Sequence, residues 1–420
     1  MRHSCRAKER RRLPANAMRI CYVAYPNSLR LRSANAVQTH ATLRALKTLA
    51  PDTLAIVPRV ETGPSAFDGL ALHLPRIGIG RLSRLYRSTL WYYAERSAYA
   101  WLVLATLLWL RLARRRCFDV IYVREVICAL WLSLLAPRLT GARVVYEVHD
   151  LESRNPSRAK ERWVQPLLHL IDRLTLMRPA ALTSLTGAFR DLLAWLGVRS
   201  RCEVAVLPDA YDETIYTPQD RDAARRALGL PDEPIIVYAG LTFAYRGVDL
   251  LLDALADVPG ARLILVGGRD RERAALIAQA QRSGIGERVM FAGVQPQDRI
   301  PLYLAAADVL VIPDTVTDVT ASPLKLFEYM AMERAVVCPD LLALREITGG
   351  DGALHFPRGD RAALAVALRM LLDDPAKRQA LAKCGRERVA PYTYTQRAAR
   401  LLAVCERVAQ QRNGVCVADV

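Results

Sequence analysis

The feature that most restricts how this chain can fold is a repeated alternation. Short apolar runs are each followed by a stretch with helical period. In the first half the runs fall at 18–24, 53–57, 119–124, 143–148, 180–185 and 202–208. Helical patterns lie between them at about 34–49, 88–116, 126–138, 158–177 and 187–196. A Pro-, Asp- and Tyr-rich linker follows, "PDAYDETIYTPQD" (208–220), and then the pattern restarts. Its second series has runs at 234–240, 261–268, 288–293, 308–313, 335–339 and 353–356, and a last helix at about 395–411. Apolar strands separated by helices imply parallel sheets covered on both faces. Two such series in 420 residues predict an α/β chain of two Rossmann-like domains, 18–208 and 209–394, with a tail at 412–420. Two such domains facing one another create a cleft at the carboxyl ends of both sheets.

Charge adds a second constraint. The net charge is +17, and residues 1–17 and 76–116 carry 13 of it. Residues 1–17 lack the apolar core of a secretory signal. They read as a basic disordered extension, or as chain upstream of a true start at Met18. The stretch 76–116 combines nine arginines with Trp91, Tyr92, Tyr93, Tyr99, Trp101 and Trp109 around the apolar run 98–110. Those 13 residues fall short of the roughly 20 that span a bilayer. Arginine and aromatics beside an apolar helix suit an anionic membrane surface. The other reading is a helix buried on a sheet with an arginine-rich exposed end. The aromatic clustering argues against nucleic acid as the partner of the basic surface. Nine scattered cysteines with no C-x-x-C argue against a disulfide framework or zinc site and predict a reducing, cytosolic compartment.

Five loops after strands carry the chemistry. "YEVHD" (146–150) puts His149 at a strand's carboxyl end, where an imidazole can orient a sugar hydroxyl or stabilise developing negative charge. In "AGLTFAYRGVDLL" (239–251), Arg246 precedes a helix, and an arginine fork suits a diphosphate. "VGGRD" (266–270) is a glycine turn of low specificity. "FAGVQ" (291–295) can offer backbone groups to a flat base. The fifth, "TASPLKLFEYMA" (320–331), reads as a helix with Ser322 as N-cap and Pro323 in the first helical position. Lys325 then sits at the positive end of the helix dipole, an unfavourable place. An incoming diphosphate would reverse that, because Lys325 and the amides of Leu324 and Lys325 would face it. Glu328, one turn on, can accept two hydrogen bonds from a ribose diol. The competing reading is a surface ion pair between Lys325 and Glu328. No metal cluster stands out, and "DRD" (220–222) reads as a helix cap.

Taken together these motifs resemble a family 4 (group 1) glycosyltransferase of the GT-B fold. The resemblance rests on "SPLKLFEYMAMERAVVCPDLLALREI" (322–347), with "YAGLTFAYRGVDLLLDAL", "LILVGG", "RVMFAGVQPQDRIPLYLAAADVLVIP" and "VLPDAYDETIYTP" in matching order. It covers essentially 18–411. It implies a retaining, metal-independent enzyme without a cofactor, taking a nucleotide diphosphate sugar in its C-terminal domain and an acceptor in its N-terminal domain. The family's ribose glutamate falls on Glu328, its diphosphate cation on Arg246, its active-site histidine on His149 and its base-contacting backbone near Val294. The final helix would cross back onto the N-terminal domain. This chain departs from the family pattern in several places. Thr320 stands where many members carry a sugar-contacting glutamate. Leu241 follows Gly240 where a second basic residue is common. Asn35-Ala36 replaces the Gly-Gly of the acceptor-side loop, and Asp209-Ala210 replaces Asn-Gly in the linker. The expected function is sugar transfer to a glycan or glycolipid acceptor at the inner face of the membrane, touched through 76–116. A GT-B nucleotide-sugar epimerase and a non-catalytic basic surface-binding protein are the alternatives.

Overall fold

The computed structural model describes residues 18–77, 89–154, 162–314, 323–410 and 417. Its first half is a seven-stranded sheet. The strands are β1 (Ile20–Val23), β2 (Leu54–Arg59), β3 (Leu72–Pro75), β4 (Val120–Val123), β5 (Arg143–Val148), β6 (Ala181–Ser184) and β7 (Val204–Val206). They lie in the order β3-β2-β1-β4-β5-β6-β7, every pair parallel. The second sheet has six: β8 (Ile235–Ala239), β9 (Arg262–Val266), β10 (Val289–Gly293), β11 (Val309–Val311), β12 (Ala335–Pro339) and β13 (Leu354–Phe356). Their order is β10-β9-β8-β11-β12-β13, again parallel throughout. Both sheets therefore reverse strand order once, between β1 and β4 and between β8 and β11. Ligands of doubly wound sheets bind outside the carboxyl ends at such points. The short edge strand β3 was not anticipated. Its "LHLP" is half-exposed and so lacks the apolar signature of its neighbours.

The helices bury one face each. Helix Thr89–Arg114 sets Tyr99, Ala100, Val103, Leu104 and Leu107 into the first core. Its opposite side leaves Leu90, Trp101, Trp109 and Leu112 exposed, Leu112 at 79%. So one face packs on the sheet and the other faces solvent. Several arginines of this helix and its flanks are committed within the protein. Arg76 pairs with Glu95 at 2.7 Å, Arg96 lies over the Tyr25 ring, and Arg111 and Arg116 donate to the carbonyls of Leu139 and Asp52. After the linker, Asp220 caps helix Arg221–Leu228 through the Ala223 amide, as the "DRD" reading expects. The last helix, Tyr394–Gln410, leaves the second half and buries Ala398, Leu401, Val404, Cys405 and Val408 against Tyr22, Val120 and Tyr122 beneath the first sheet. Residues 1–17 and 411–416 lie outside the described residues.

Candidate active site

On the N-terminal side the site is built where β4 and β5 end. Glu147 is fully buried and accepts from Arg124 Nε at 2.9 Å, Arg397 Nη2 at 3.0 Å and the Tyr122 hydroxyl. His149 Nε2 lies 3.0 Å from the same carboxylate. Burial opposes ionisation of Glu147, but the two arginines and the histidine hold its carboxyl well below the usual range. Burial also lowers the His149 pKa; Glu147 opposes this and Arg124 and Arg397 reinforce it. The ring is therefore neutral at physiological pH. Its Nε2 sits between the Glu147 carboxylate, which only accepts, and Arg124 Nη2 at 3.3 Å, which only donates. Arg124 reaches further, to Thr39 Oγ1 at 2.6 Å and to Gln38 Oε1. It thus ties the first turns of helix Ala34–Leu49 to His149.

That helix begins at Ala34, where the pattern at 34–49 puts it, and so changes only the loop that the resemblance implies for Asn35-Ala36. Asn35 and Ala36 form its first turn rather than a loop, because Ser33 caps it by accepting from the Ala36 amide at 3.3 Å. The Asn35 Oδ1 atom is buried with no partner among the described residues.

On the C-terminal side the ends of β8 and β11 and the start of helix Leu324–Ala331 converge. Tyr329 on that helix bonds the backbone N–H and C=O of Ala239, at 2.7 and 3.1 Å, and so fixes it against β8. Gly240 follows in a positive-φ conformation (150°), and a Cβ there would meet the Tyr238 hydroxyl at 3.3 Å and Lys325 Cε at 3.7 Å. Gly267, φ 104°, lies so close to the Gly240 carbonyl that no side chain fits. The "VGG" turn is therefore required by close backbone approach.

Three charged side chains meet beside this glycine pair. Arg246 Nη1 lies 2.6 Å from Asp314 Oδ2, and Lys325 Nζ lies 3.4 Å from Asp314 Oδ1. Asp314 is buried, three residues past β11. Lys325 also sits 4.5 Å over the Tyr238 ring. The unfavourable cation in the first turn is therefore balanced by a carboxylate from the loop after β11. The ion pair weighed for Lys325 with Glu328 is replaced by one with Asp314, 11 residues away in sequence. Burial brings the Lys325 pKa down to about 8; Asp314 opposes this and Arg246 reinforces it. Burial raises Glu328 to about 7, against a hydrogen bond from Tyr216 and with the help of Asp209. Asp209, itself pushed up to about 7 by burial, feels Arg397, Arg124 and Glu147. Asp209 thus lies electrostatically between the Glu328 carboxyl of the second half and the Arg124, Arg397 and Glu147 cluster of the first.

The cap of helix Leu324–Ala331 also differs from expectation. Pro323 has an extended ψ of 112° and is the N-cap residue rather than the first helical one. Ser322 and Thr320 lie outside the described residues. Leu324 packs with Ala41, Ala210 and Tyr394, so it joins the two halves. Val294, just past β10, is 78% exposed. A cavity of about 150 Å³ opens between helix Ala34–Leu49 and the linker, lined by His40, Arg44, Asp212, Tyr216, Glu328 and Tyr394. Arg44 and Asp212 bridge it at 2.5 Å. Among the described residues no three His, Cys, Asp or Glu side chains are grouped to hold a metal, and no helix is long and apolar enough to cross a membrane.

Sequence reasoning missed Arg124, Arg397 and Asp314. The available signal was position. Arg124 and Asp314 each follow a strand that borders a switch point.

Two doubly wound parallel sheets with charged groups converging at their carboxyl ends define a GT-B protein. The chain belongs to the group 1 glycosyltransferase family. A family model described as "Glycosyl transferases group 1" matches residues 233–374, and one described as "Glycosyl transferase 4-like domain" matches 35–210. The chain is 31% identical over 324 residues to 2-deoxystreptamine glucosyltransferase of Streptomyces kanamyceticus, covering 74% of this chain and 82% of that one. It is 31% identical over 254 residues to 2-deoxystreptamine N-acetyl-D-glucosaminyltransferase of Streptomyces fradiae, covering 57% of this chain and 59% of the relative. In fold it is similar to sucrose-phosphate synthase from Thermosynechococcus elongatus (TM-score 0.72, 19% identity, 93% of this chain and 99% of that one). The Anabaena protein HepE in complex with UDP-glucose is also similar (TM-score 0.69, 19% identity, 92% and 100%). The chain is thus a glycosyltransferase.

Proposed function

We propose that this glycosyltransferase is a retaining, metal-independent enzyme whose second half holds a nucleoside diphosphate sugar and whose first half holds the acceptor. The observation that carries the reading is the convergence of Arg246 and Lys325 beside Gly240 at the β8–β11 switch point, with Glu328 one turn further on. The diphosphate lies against the two cations and the amides of Leu324 and Lys325. Glu328 accepts from the ribose hydroxyls, and backbone near Val294 meets the base. Ser322 belongs to the same donor segment.

As the bond between the sugar's anomeric carbon and the diphosphate oxygen breaks, charge builds on that oxygen. Arg246 and Lys325 stabilise it more than they stabilise the ground state. The acceptor hydroxyl attacks from the face the diphosphate leaves, and its proton passes to a departing phosphate oxygen. Neutral His149 interacts through its imidazole with a sugar hydroxyl near the reacting carbon. The first turn of helix Ala34–Leu49, with Asn35 and Ala36, faces the acceptor.

The acceptor is a lipid-linked or cell-surface glycan at the inner face of the membrane, approached through the exposed side of helix Thr89–Arg114. Leu90, Trp101, Trp109 and Leu112 support this contact. A second reading has a specific support of its own. Two relatives at 31% identity are named for transfer to 2-deoxystreptamine, so a small cyclitol is the competing acceptor.

The test is transfer in the presence of a chelator, with the product's anomeric configuration read by NMR. Retention of the donor's configuration at full rate supports the reading. Inversion, or loss of activity on chelation, overturns it. Within that assay Arg246→Ala lowers turnover sharply and Glu328→Ala weakens donor binding.

A further inference from the structure

Asp314 has no counterpart in the chemistry derived so far. A buried carboxylate beside a diphosphate site is unfavourable for the anion that binds there, so its presence needs a reason. Its two oxygens are divided between the two cations: Oδ2 takes Arg246 Nη1 at 2.6 Å and Oδ1 faces Lys325 Nζ at 3.4 Å. We propose that Asp314 is the positioning residue of the donor site, holding Arg246 in place and keeping Lys325 charged so that both meet a nucleoside diphosphate already aligned. This rests on the donor-site reading above.

Arg246 belongs to a short turn, Ala244–Arg246, ahead of Gly247. Its guanidinium is carried on a long side chain, and a carboxylate hydrogen bond fixes where that side chain points. Lys325 faces four groups: Asp314, Arg246, Tyr238 and Glu328. Burial and Arg246 both drive the proton off its amine, and Asp314 is the largest influence that keeps it on. Without a charged Asp314 the lysine would lose its proton at lower pH and the site would lose one of its two cations. Tyr238 is pushed far above its ordinary range by burial and stays protonated, and Glu328 titrates at about 7. Lys325 is therefore the member of this group that titrates in the mildly alkaline range.

The experiment is calorimetric titration of the full chain across pH. The probe is whichever of UDP, GDP, ADP and dTDP binds it most tightly. Wild-type affinity falls as pH rises past about 8, where Lys325 deprotonates. In Asp314→Asn, which keeps shape and an acceptor for Arg246, that fall begins about one pH unit or more lower. Asp314→Glu, which restores the charge, moves it back. In Asp314→Ala, which also releases Arg246, turnover drops roughly 10- to 100-fold. Superimposable pH curves for wild type and Asp314→Asn, with Lys325→Ala still weakened, overturn the inference alone. Undiminished binding by Arg246→Ala and Lys325→Ala, or no nucleotide binding at all, overturns the donor-site reading and this inference with it.

Discussion

Arg397 on the last helix donates through Nη2 to Glu147 at the end of β5, 3.0 Å away across 250 residues of sequence. Glu147 in turn holds His149 and Arg124. The returning helix therefore reaches the charge network beside the cleft as well as covering the sheet. Glu147→Ala leaves Arg124 and Arg397 buried without their counter-charge. Removing one partner of a buried pair costs about 3–5 kcal/mol. A urea denaturation midpoint lowered to match is the expected result, and an unchanged midpoint would count against the network's structural role.

Glu328 and Asp209 both titrate at about 7 in the folded chain, above the ordinary carboxylate range. A raised pKa means the proton is bound more tightly in the folded state. The associated stability is present at low pH and is lost as pH climbs through about 7. Glu328→Gln removes that loss. Its melting temperature should exceed that of wild type near pH 8, by the equivalent of about 1–3 kcal/mol, and match it only near pH 4, below the ordinary carboxylate range. Equal melting temperatures at both pH values would mean that Glu328 ionises without cost.

The exposed side of helix Thr89–Arg114 makes a separate prediction. Trp109 and Leu112 are 53% and 79% exposed, with Arg114 5.3 Å over the Trp109 ring. Burying such side chains in a lipid interface contributes about 1.5–3 kcal/mol each. The double substitution Trp109→Ser, Leu112→Ser should weaken co-sedimentation with anionic vesicles at low salt by about tenfold or more. Wild-type protein that stays in the supernatant while the vesicles pellet would remove membrane contact and favour a small soluble acceptor.

Much of the scaffold was legible because it is local. Fully buried parallel strands read as apolar runs whether or not their partners are known, and twelve such runs stood out. β3 escaped because an edge strand with one face in solvent has no such run. Caps were less legible. Pro323 in an extended conformation depends on neighbouring contacts rather than on residue type. The site divided along the same line. Arg246, Lys325, Glu328 and His149 sit in motifs that a resemblance can carry. Asp314 follows an apolar run as a Pro-Asp turn would, and its partner Arg246 is 68 residues away. Arg397 reads as one more arginine on a periodic helix, and only the return of that helix buries it.

The central claim is that the second half binds a nucleoside diphosphate with Glu328 on the ribose. It is tested most directly by a cycle of two ligands and two proteins in calorimetry. Wild type should bind the ribonucleoside diphosphate about tenfold more tightly than its 2′-deoxy counterpart, the equivalent of about 1.4 kcal/mol. Glu328→Ala should bind the two alike. Discrimination that survives in Glu328→Ala, or is absent from wild type, would contradict the account.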